Sequence, residues 1–114
     1  MITAFSRNHR SSLYKIEKTN IPYPMHYALR FFTSRNGVAY WIHGRDIPGY
    51  PASHGCIGLY DEEMQRRYYR NPQKPILRDA KTLYEWVVSS HPDDGSFNLL
   101  KDGPRILIKG NLPF

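Results

Sequence analysis

The sequence predicts a single, mainly β domain with two helices. Its 114 residues are enough for one modest hydrophobic core but not for a second independent one. Several stretches are rich in aromatic and β-branched residues, as strands are, and two others carry helix-start signals or apolar residues at helical spacing. We therefore expect one domain over 1–114.

The expected strands alternate with turns and proline-rich loops. Residues 12–17 (S-L-Y-K-I-E) alternate in part and predict a strand, whereas 19–24 (T-N-I-P-Y-P), with two prolines, predict an extended loop. Residues 26–33 and 37–43 predict a hairpin. The stretch R-I-L-I-K at 105–109 predicts a final strand.

Two helices are expected in the second half of the chain. Asp61 is expected to cap a helix over 61–69, with acidic residues in its first turn and arginines toward its end. A second helix is expected over 79–91, with one apolar face that we assign to the core. The residues of this face are Leu83, Trp86 and Val87.

The charge of the chain alone does not define a function. Sixteen Lys and Arg against ten Asp and Glu give a formal charge of +6, which suits contact with polyanions or simple solubility. No apolar run has transmembrane length, and residues 1–10 are too polar to resemble a signal peptide. We therefore expect no membrane insertion, and the sequence leaves the export route and the oligomeric state open.

The chemically informative segment is 42–60, which holds two histidines and the only cysteine. A thiol becomes a good nucleophile when a nearby imidazole takes its proton. His43, at the end of a predicted strand, is separated from Cys56 by a Pro/Gly loop that can fold the two side chains together. This spacing predicts Cys56 as nucleophile and His43 as base.

Glycines on both sides of the loop fit acyl transfer. Gly55 has no side chain to obstruct a carbonyl substrate, and the backbone N–H groups of Gly55 and Cys56 are candidates to stabilise the oxyanion. No Asp or Asn is evidently reserved to orient His43, so we consider a backbone carbonyl, that of Gly44, as its partner.

The I-H-G and S-H-G-C segments together resemble the L,D-transpeptidase (YkuD) catalytic domain, whose signature is a His, a loop, and then Ser or Thr-His-Gly-Cys. The resemblance implies a β-sandwich in which Cys56 is the nucleophile and His43 the general acid/base. It implies a periplasmic or cell-envelope location and no cofactor or metal. The residues it assigns to support of the oxyanion site are Ser53, His54, Gly55 and Gly44.

Three departures from the family pattern stand out. Gly58 occupies the position after H-G-C-I where the family commonly has Arg or Asn. The loop between His43 and Ser53 is short for the family. The chain opens near the family's T-P-x-G turn, at 10–13, so the family's first strands are expected to be absent. The domain is thus expected to be N-terminally abbreviated.

The resemblance implies a two-step reaction on peptidoglycan stem peptides. Cys56 attacks the carbonyl of the L-centre of diaminopimelate in a tetrapeptide stem and expels D-Ala. The thioester then passes to an amine, giving a cross-link or an anchored protein, or to water, giving L,D-carboxypeptidase activity. The expected partners are peptidoglycan stem peptides rather than nucleic acid, and the sequence does not choose the acceptor.

Three alternatives remain open at this point. His43, His54 and Cys56 are three side chains of the types that bind zinc, although a structural site needs four. A basic, aromatic-rich binding module is another, but the rings, Tyr40, Trp41 and Trp86 in particular, are better assigned to the core. The third is an inactive or toxin-like wall-binding domain of the same fold.

Overall fold

The strands form one five-stranded sheet in a computed structural model, which describes residues 1–16, 19–45, 56–70, 72–89 and 91–107. In chain order the strands are β1 (Ala4–Lys15), β2 (Pro22–Thr33), β3 (Ala39–Arg45), β4 (Ile57–Tyr60) and β5 (Asn98–Leu99). Across the sheet the order is β4-β3-β2-β1-β5; β3 and β4 are parallel, and the other neighbours are antiparallel. The mainly β prediction is confirmed.

The predicted hairpin is formed by β2 and β3. Ser34 N–H donates to the carbonyl of Val38 at 2.8 Å, and Gly37 N–H donates to the carbonyl of Ser34 at 3.0 Å. Gly37 has φ of +85°, a conformation that glycine adopts without steric cost. The turn fixes the register that carries β3 from Ala39 toward His43.

Both predicted helices are present. The first is a π-helix, Met64–Tyr69. The N–H of its first residue, Met64, donates to Asp61 Oδ2 at 3.3 Å, which is the kind of capping contact expected of Asp61. The second is α1, Asp79–Val88, which ends three residues before the predicted boundary. Mainly β with two helices is thus the observed fold class.

The buried face of α1 differs from the predicted one. Its buried residues are Ala80, Tyr84, Val87 and Val88. Trp86 is 68% exposed, so its assignment to the core is wrong. The spacing 80, 84, 87, 88 is as helical as 83, 86, 87, and Tyr84 gains a hydrogen bond from its hydroxyl to Asp93 at 2.9 Å when it turns inward.

Two strand predictions were wrong at their boundaries. β1 begins at Ala4 rather than at residue 12, because pairing with both β2 and β5 holds this segment in the sheet despite its polar residues. β2 begins at Pro22, inside the segment predicted as a loop. Pro24 pairs with Arg10 and Pro22 with Lys15, at the two ends of the irregularity in the β1–β2 pairing. The N–H donors that these prolines lack would therefore contribute few hydrogen bonds between the strands.

The predicted final strand is absent from its described part, residues 105–107, while 108–109 lie outside the described residues. Ile2 N–H donates to the carbonyl of Pro104 at 2.8 Å, but Pro104 has no N–H with which to return a ladder bond. The edge of β1 pairs instead with the two-residue strand β5.

The two faces of the sheet carry different side chains. The face toward α1 holds the larger apolar cluster, which consists of Ile2, Phe5, Leu29, Ile42, Tyr84, Val87, Val88 and Leu100. A smaller cluster of Met25, Ala28 and Trp41 holds Cys56 among its partly buried neighbours. We call the surface around this smaller cluster the site face.

Candidate functional site

The parallel pairing of β3 with β4 brings the predicted nucleophile and base to neighbouring strands. Ile42 is opposite Ile57 and His43 is opposite Gly58, so Cys56, one residue before β4, lies beside Trp41. Trp41 N–H donates to Cys56 Sγ at 3.4 Å. Because side chains alternate along a strand, Cys56 and His43 both project from the site face, away from Ile42 and Ile57.

This register makes Cys56 and His43 diagonal neighbours. The strand spacing and a two-residue rise correspond to about 8 Å between their Cα atoms. Diagonal neighbours on one face of a sheet are within reach of long and aromatic side chains, and an imidazole is of this kind.

His43 is held in one tautomer. Its Nδ1 lies 2.8 Å from the carbonyl oxygen of Gly44, and because a carbonyl only accepts, Nδ1 carries the proton and donates. The other ring nitrogen, Nε2, keeps its lone pair when the ring is neutral. The partner considered from sequence, the Gly44 carbonyl, is the one observed.

The environment of His43 keeps the ring neutral near pH 7. Its side chain is buried, with the residue 4% exposed, and burial is the main reason that its pKa falls to about 4. The hydrogen bond to Gly44 raises the pKa in part, while Coulombic interactions with Arg45, His9 and His26 lower it. A neutral imidazole with a free nitrogen is the form that accepts a thiol proton.

A buried carboxylate packs behind the backbone that orients His43. A Cβ at Gly44 would lie 2.4 Å from Asp61 Cβ, so only glycine fits there without displacing Asp61. Asp61 is 3% exposed, and its Oδ2 lies 3.0 Å from His26 Nδ1. His26 Nε2 in turn lies 3.4 Å from Glu63 Oε2.

From the sequence, Asp61 is predicted only as a helix cap, and His26 only as part of the predicted hairpin. Their proximity to Gly44 arises from pairing between strands that are distant along the chain, β2 with β3 and β3 with β4. No local pattern signals it.

A cavity opens beside Cys56 on the site face. Its volume is about 380 Å³, within the range of pockets that bind small ligands. The His9 ring stacks on Trp41 with 4.3 Å between ring centroids, and burial lowers the pKa of His9. The lining residues are His9, Ser11, Tyr14, Met25, Gly37, Val38, Ala39, Tyr40, Trp41 and Cys56. The cavity is therefore mostly apolar and aromatic, and Cys56 forms part of its lining.

The predicted motif residues Ser53, His54 and Gly55 lie outside the described residues, as does the Pro/Gly loop over 46–51. Their predicted contribution to an oxyanion site stays a prediction. Gly58, the departure noted in the motif, is described, and it lies opposite His43. A Cβ there would lie 2.2 Å from Arg45 Cδ, so the Arg45 side chain occupies the space over Gly58.

Two features are absent from the described residues. Within 1–16, 19–45, 56–70, 72–89 and 91–107, no group of three or more His, Cys, Asp or Glu side chains is arranged to hold a metal ion. In the same part of the chain, no helix has the length and apolar character needed to cross a bilayer.

Comparison with known proteins gives one match. The family model of the L,D-transpeptidase catalytic domain (YkuD) matches residues 1–94, which include β1 to β4, α1, His43 and Cys56. No curated protein and no solved structure matches the chain. Because the match covers most of the sequence, the chain belongs to the YkuD family of L,D-transpeptidase catalytic domains, which are typically cysteine-dependent.

Proposed function

We propose that this domain is a cysteine-dependent L,D-transpeptidase that acts on the stem peptides of peptidoglycan. The observation that carries the proposal is the β3–β4 register, which sets Cys56 and His43 on one face of neighbouring strands. Family membership supports L,D-transpeptidase activity in general. The geometry around the two residues supports their roles as nucleophile and base.

The first half-reaction forms a thioester. Neutral His43 takes the thiol proton at Nε2, and Cys56 Sγ attacks the carbonyl of the L-centre of diaminopimelate in a tetrapeptide stem. The C–N bond to D-Ala breaks as the C–S bond forms, and His43 returns the proton to the departing amine. Backbone N–H groups at Gly55 and Cys56 are the candidates to stabilise the oxyanion, with Ser53 and His54 supporting that loop.

The second half-reaction transfers the acyl group. An acceptor amine, activated by loss of a proton to His43, attacks the thioester and restores the thiol. An amine from a second stem peptide gives a cross-link, an amine from a protein anchors that protein, and water gives L,D-carboxypeptidase activity. The chemistry needs neither a metal nor an organic cofactor, because the thiol supplies the covalent intermediate.

The proposed place of action is the cell envelope, where the family typically operates. The formal charge of +6 supports approach to an anionic wall through long-range attraction. The apolar and aromatic cavity beside Cys56 supports binding of the aliphatic part of a stem peptide rather than of a highly charged ligand.

The test is incubation of the purified protein with a tetrapeptide muropeptide, followed by chromatographic measurement of D-Ala and of peptide products. We expect D-Ala release by the wild type and none by Cys56→Ala. Dimeric products would identify an amine acceptor, and tripeptide alone would identify water. Folded wild-type protein that releases no D-Ala would contradict the proposal and favour a binding module or an inactive domain.

A further inference from the structure

Arg45 is held beside the reacting residues by the absence of a side chain at Gly58. Arg45 is the last residue of β3 and pairs with Tyr60, whereas Gly58 pairs with His43. A Cβ at Gly58 would lie 2.2 Å from Arg45 Cδ and 2.3 Å from Arg45 Cγ. The aliphatic part of the Arg45 side chain therefore lies over Gly58 rather than over Tyr60, its own partner in β4. Gly58 is the residue directly opposite His43.

This position brings a permanent positive charge to the base. The charge of Arg45, whose side chain lies over the residue opposite His43, contributes to the lowered pKa of His43. A guanidinium presents a planar array of donors that matches a carboxylate and can bind it through two parallel hydrogen bonds. The side of the site next to His43 is thus suited to an anionic group.

The proposed reaction supplies such an anion at this place. His43 must lie close to the departing nitrogen, because it returns the proton there as the C–N bond breaks. In a tetrapeptide stem that nitrogen belongs to a terminal amino acid, whose free carboxylate is one carbon away. A cation beside His43 is therefore beside the carboxylate of the leaving group.

We propose that Arg45 binds the free C-terminal carboxylate of the departing amino acid and so selects stems that end one residue beyond the scissile bond. The proposal rests on the proposed function and adds a specificity residue to it. Arg45 takes no part in bond making: the C–S bond forms, the C–N bond breaks and the proton passes from His43 to the departing amine. The guanidinium of Arg45 holds the carboxylate of the substrate in place during these steps.

The test compares two tetrapeptide muropeptides, one ending in D-Ala and one in D-alaninamide. The kcat and KM for release of each terminal residue are measured with wild-type protein, Arg45→Gln and Arg45→Lys. We expect wild type to prefer the free acid by about 10- to 100-fold in kcat/KM, the range expected for a hydrogen-bonded charge pair. Arg45→Gln should lose this preference by turning over the acid more slowly, and Arg45→Lys should keep part of it.

Two further variants make the result specific to this position. Arg105→Gln removes the same charge from an exposed residue next to Ile106, which packs against the α1 side, and should keep the preference. Gly58→Ala should displace Arg45 and reduce the preference as Arg45→Gln does, and the double variant should lose no more. Circular dichroism and thermal unfolding check that each variant is folded.

The outcomes separate the two proposals. Cys56-dependent release of D-Ala with an unchanged acid preference in Arg45→Gln would overturn the role of Arg45 alone. An equal loss on the acid and the amide in Arg45→Gln would also overturn it, because a structural role would lower both. Folded wild type that releases neither terminal residue would overturn the proposed function, and the role of Arg45 with it.

Discussion

Burial of side chains has different consequences on the two faces of the sheet. On the α1 side, side chains such as Phe5 and Leu29 are almost fully buried among apolar neighbours. On the site face, burial encloses a titratable group, since His43 is only 4% exposed. Burial of carbon stabilises the fold, whereas burial of an imidazole lowers its pKa and keeps it neutral near pH 7. Substitutions on the two faces should therefore separate stability from activity.

The largest expected effect is on the rate of catalysis after His43→Gln. Removal of a general base typically lowers the rate by about 10²- to 10⁴-fold. We expect a loss of this size in D-Ala release, while the midpoint of thermal unfolding at pH 7 changes little. A variant that kept more than a tenth of wild-type activity would show that His43 is not the base.

The matching substitution on the α1 face is Phe5→Ala. Phe5 is 2% exposed, contacts the Tyr84 ring edge-on at 6.2 Å between centroids, and leaves a cavity when truncated. We expect the free energy of unfolding to fall by about 3–5 kcal/mol in a urea titration. Activity per folded molecule should stay near that of wild type at low temperature; a selective loss of activity would contradict the separation of the two faces.

The pH dependence of stability sharpens the comparison. His43 has a pKa of about 4 in the folded protein against 6.5 for an ordinary histidine, so the unfolded chain binds a proton more readily. Stability from this group is complete above pH 6.5 and is lost as pH falls from 6.5 to 4, by about 3 kcal/mol in total. The free energy of unfolding, measured with urea at several pH values, should therefore fall more steeply below pH 6.5 in wild type than in His43→Gln. Parallel curves would contradict the burial of a neutral His43.

A smaller effect is expected from Gly44→Ala. The new Cβ would lie 2.4 Å from Asp61 Cβ, so either the carboxylate or the β3 backbone must shift, at about 1–3 kcal/mol. The shift moves the carbonyl that orients His43, and we expect kcat to fall while KM changes little. Asp61→Gly in the same background should restore part of the activity, because it removes the Cβ that the new methyl group meets. No restoration would indicate that Gly44 serves catalysis independently of Asp61.

The sequence predicted the class of fold because its strongest signals are local. The hairpin around Gly37 and the helix that follows Asp61 are both present. The start of β1 was missed because polar residues such as Asn8 and Arg10 enter the sheet through pairing with distant strands, which no local pattern records. Trp86 was misassigned because two helical stripes fit the spacing equally well and the sheet contacts the other one.

The site shows the same division between local and distant causes. Cys56, His43 and the Gly44 carbonyl were predicted from one short segment, and the structure brings the two side chains to one face. Asp61, His26 and the position of Arg45 over Gly58 follow from the register of β2, β3 and β4. Such contacts join residues up to 35 positions apart and become visible only when the strands are paired.

The most direct test of the central claim is to trap the thioester. Protein mixed with a tetrapeptide muropeptide is quenched in acid within the first turnover, and intact mass and peptide mapping locate the adduct. We predict an adduct equal to the substrate minus D-Ala, on Cys56, absent from Cys56→Ala and much slower to form in His43→Gln. Release of D-Ala without such an adduct, or an adduct that persists in Cys56→Ala, would contradict the account.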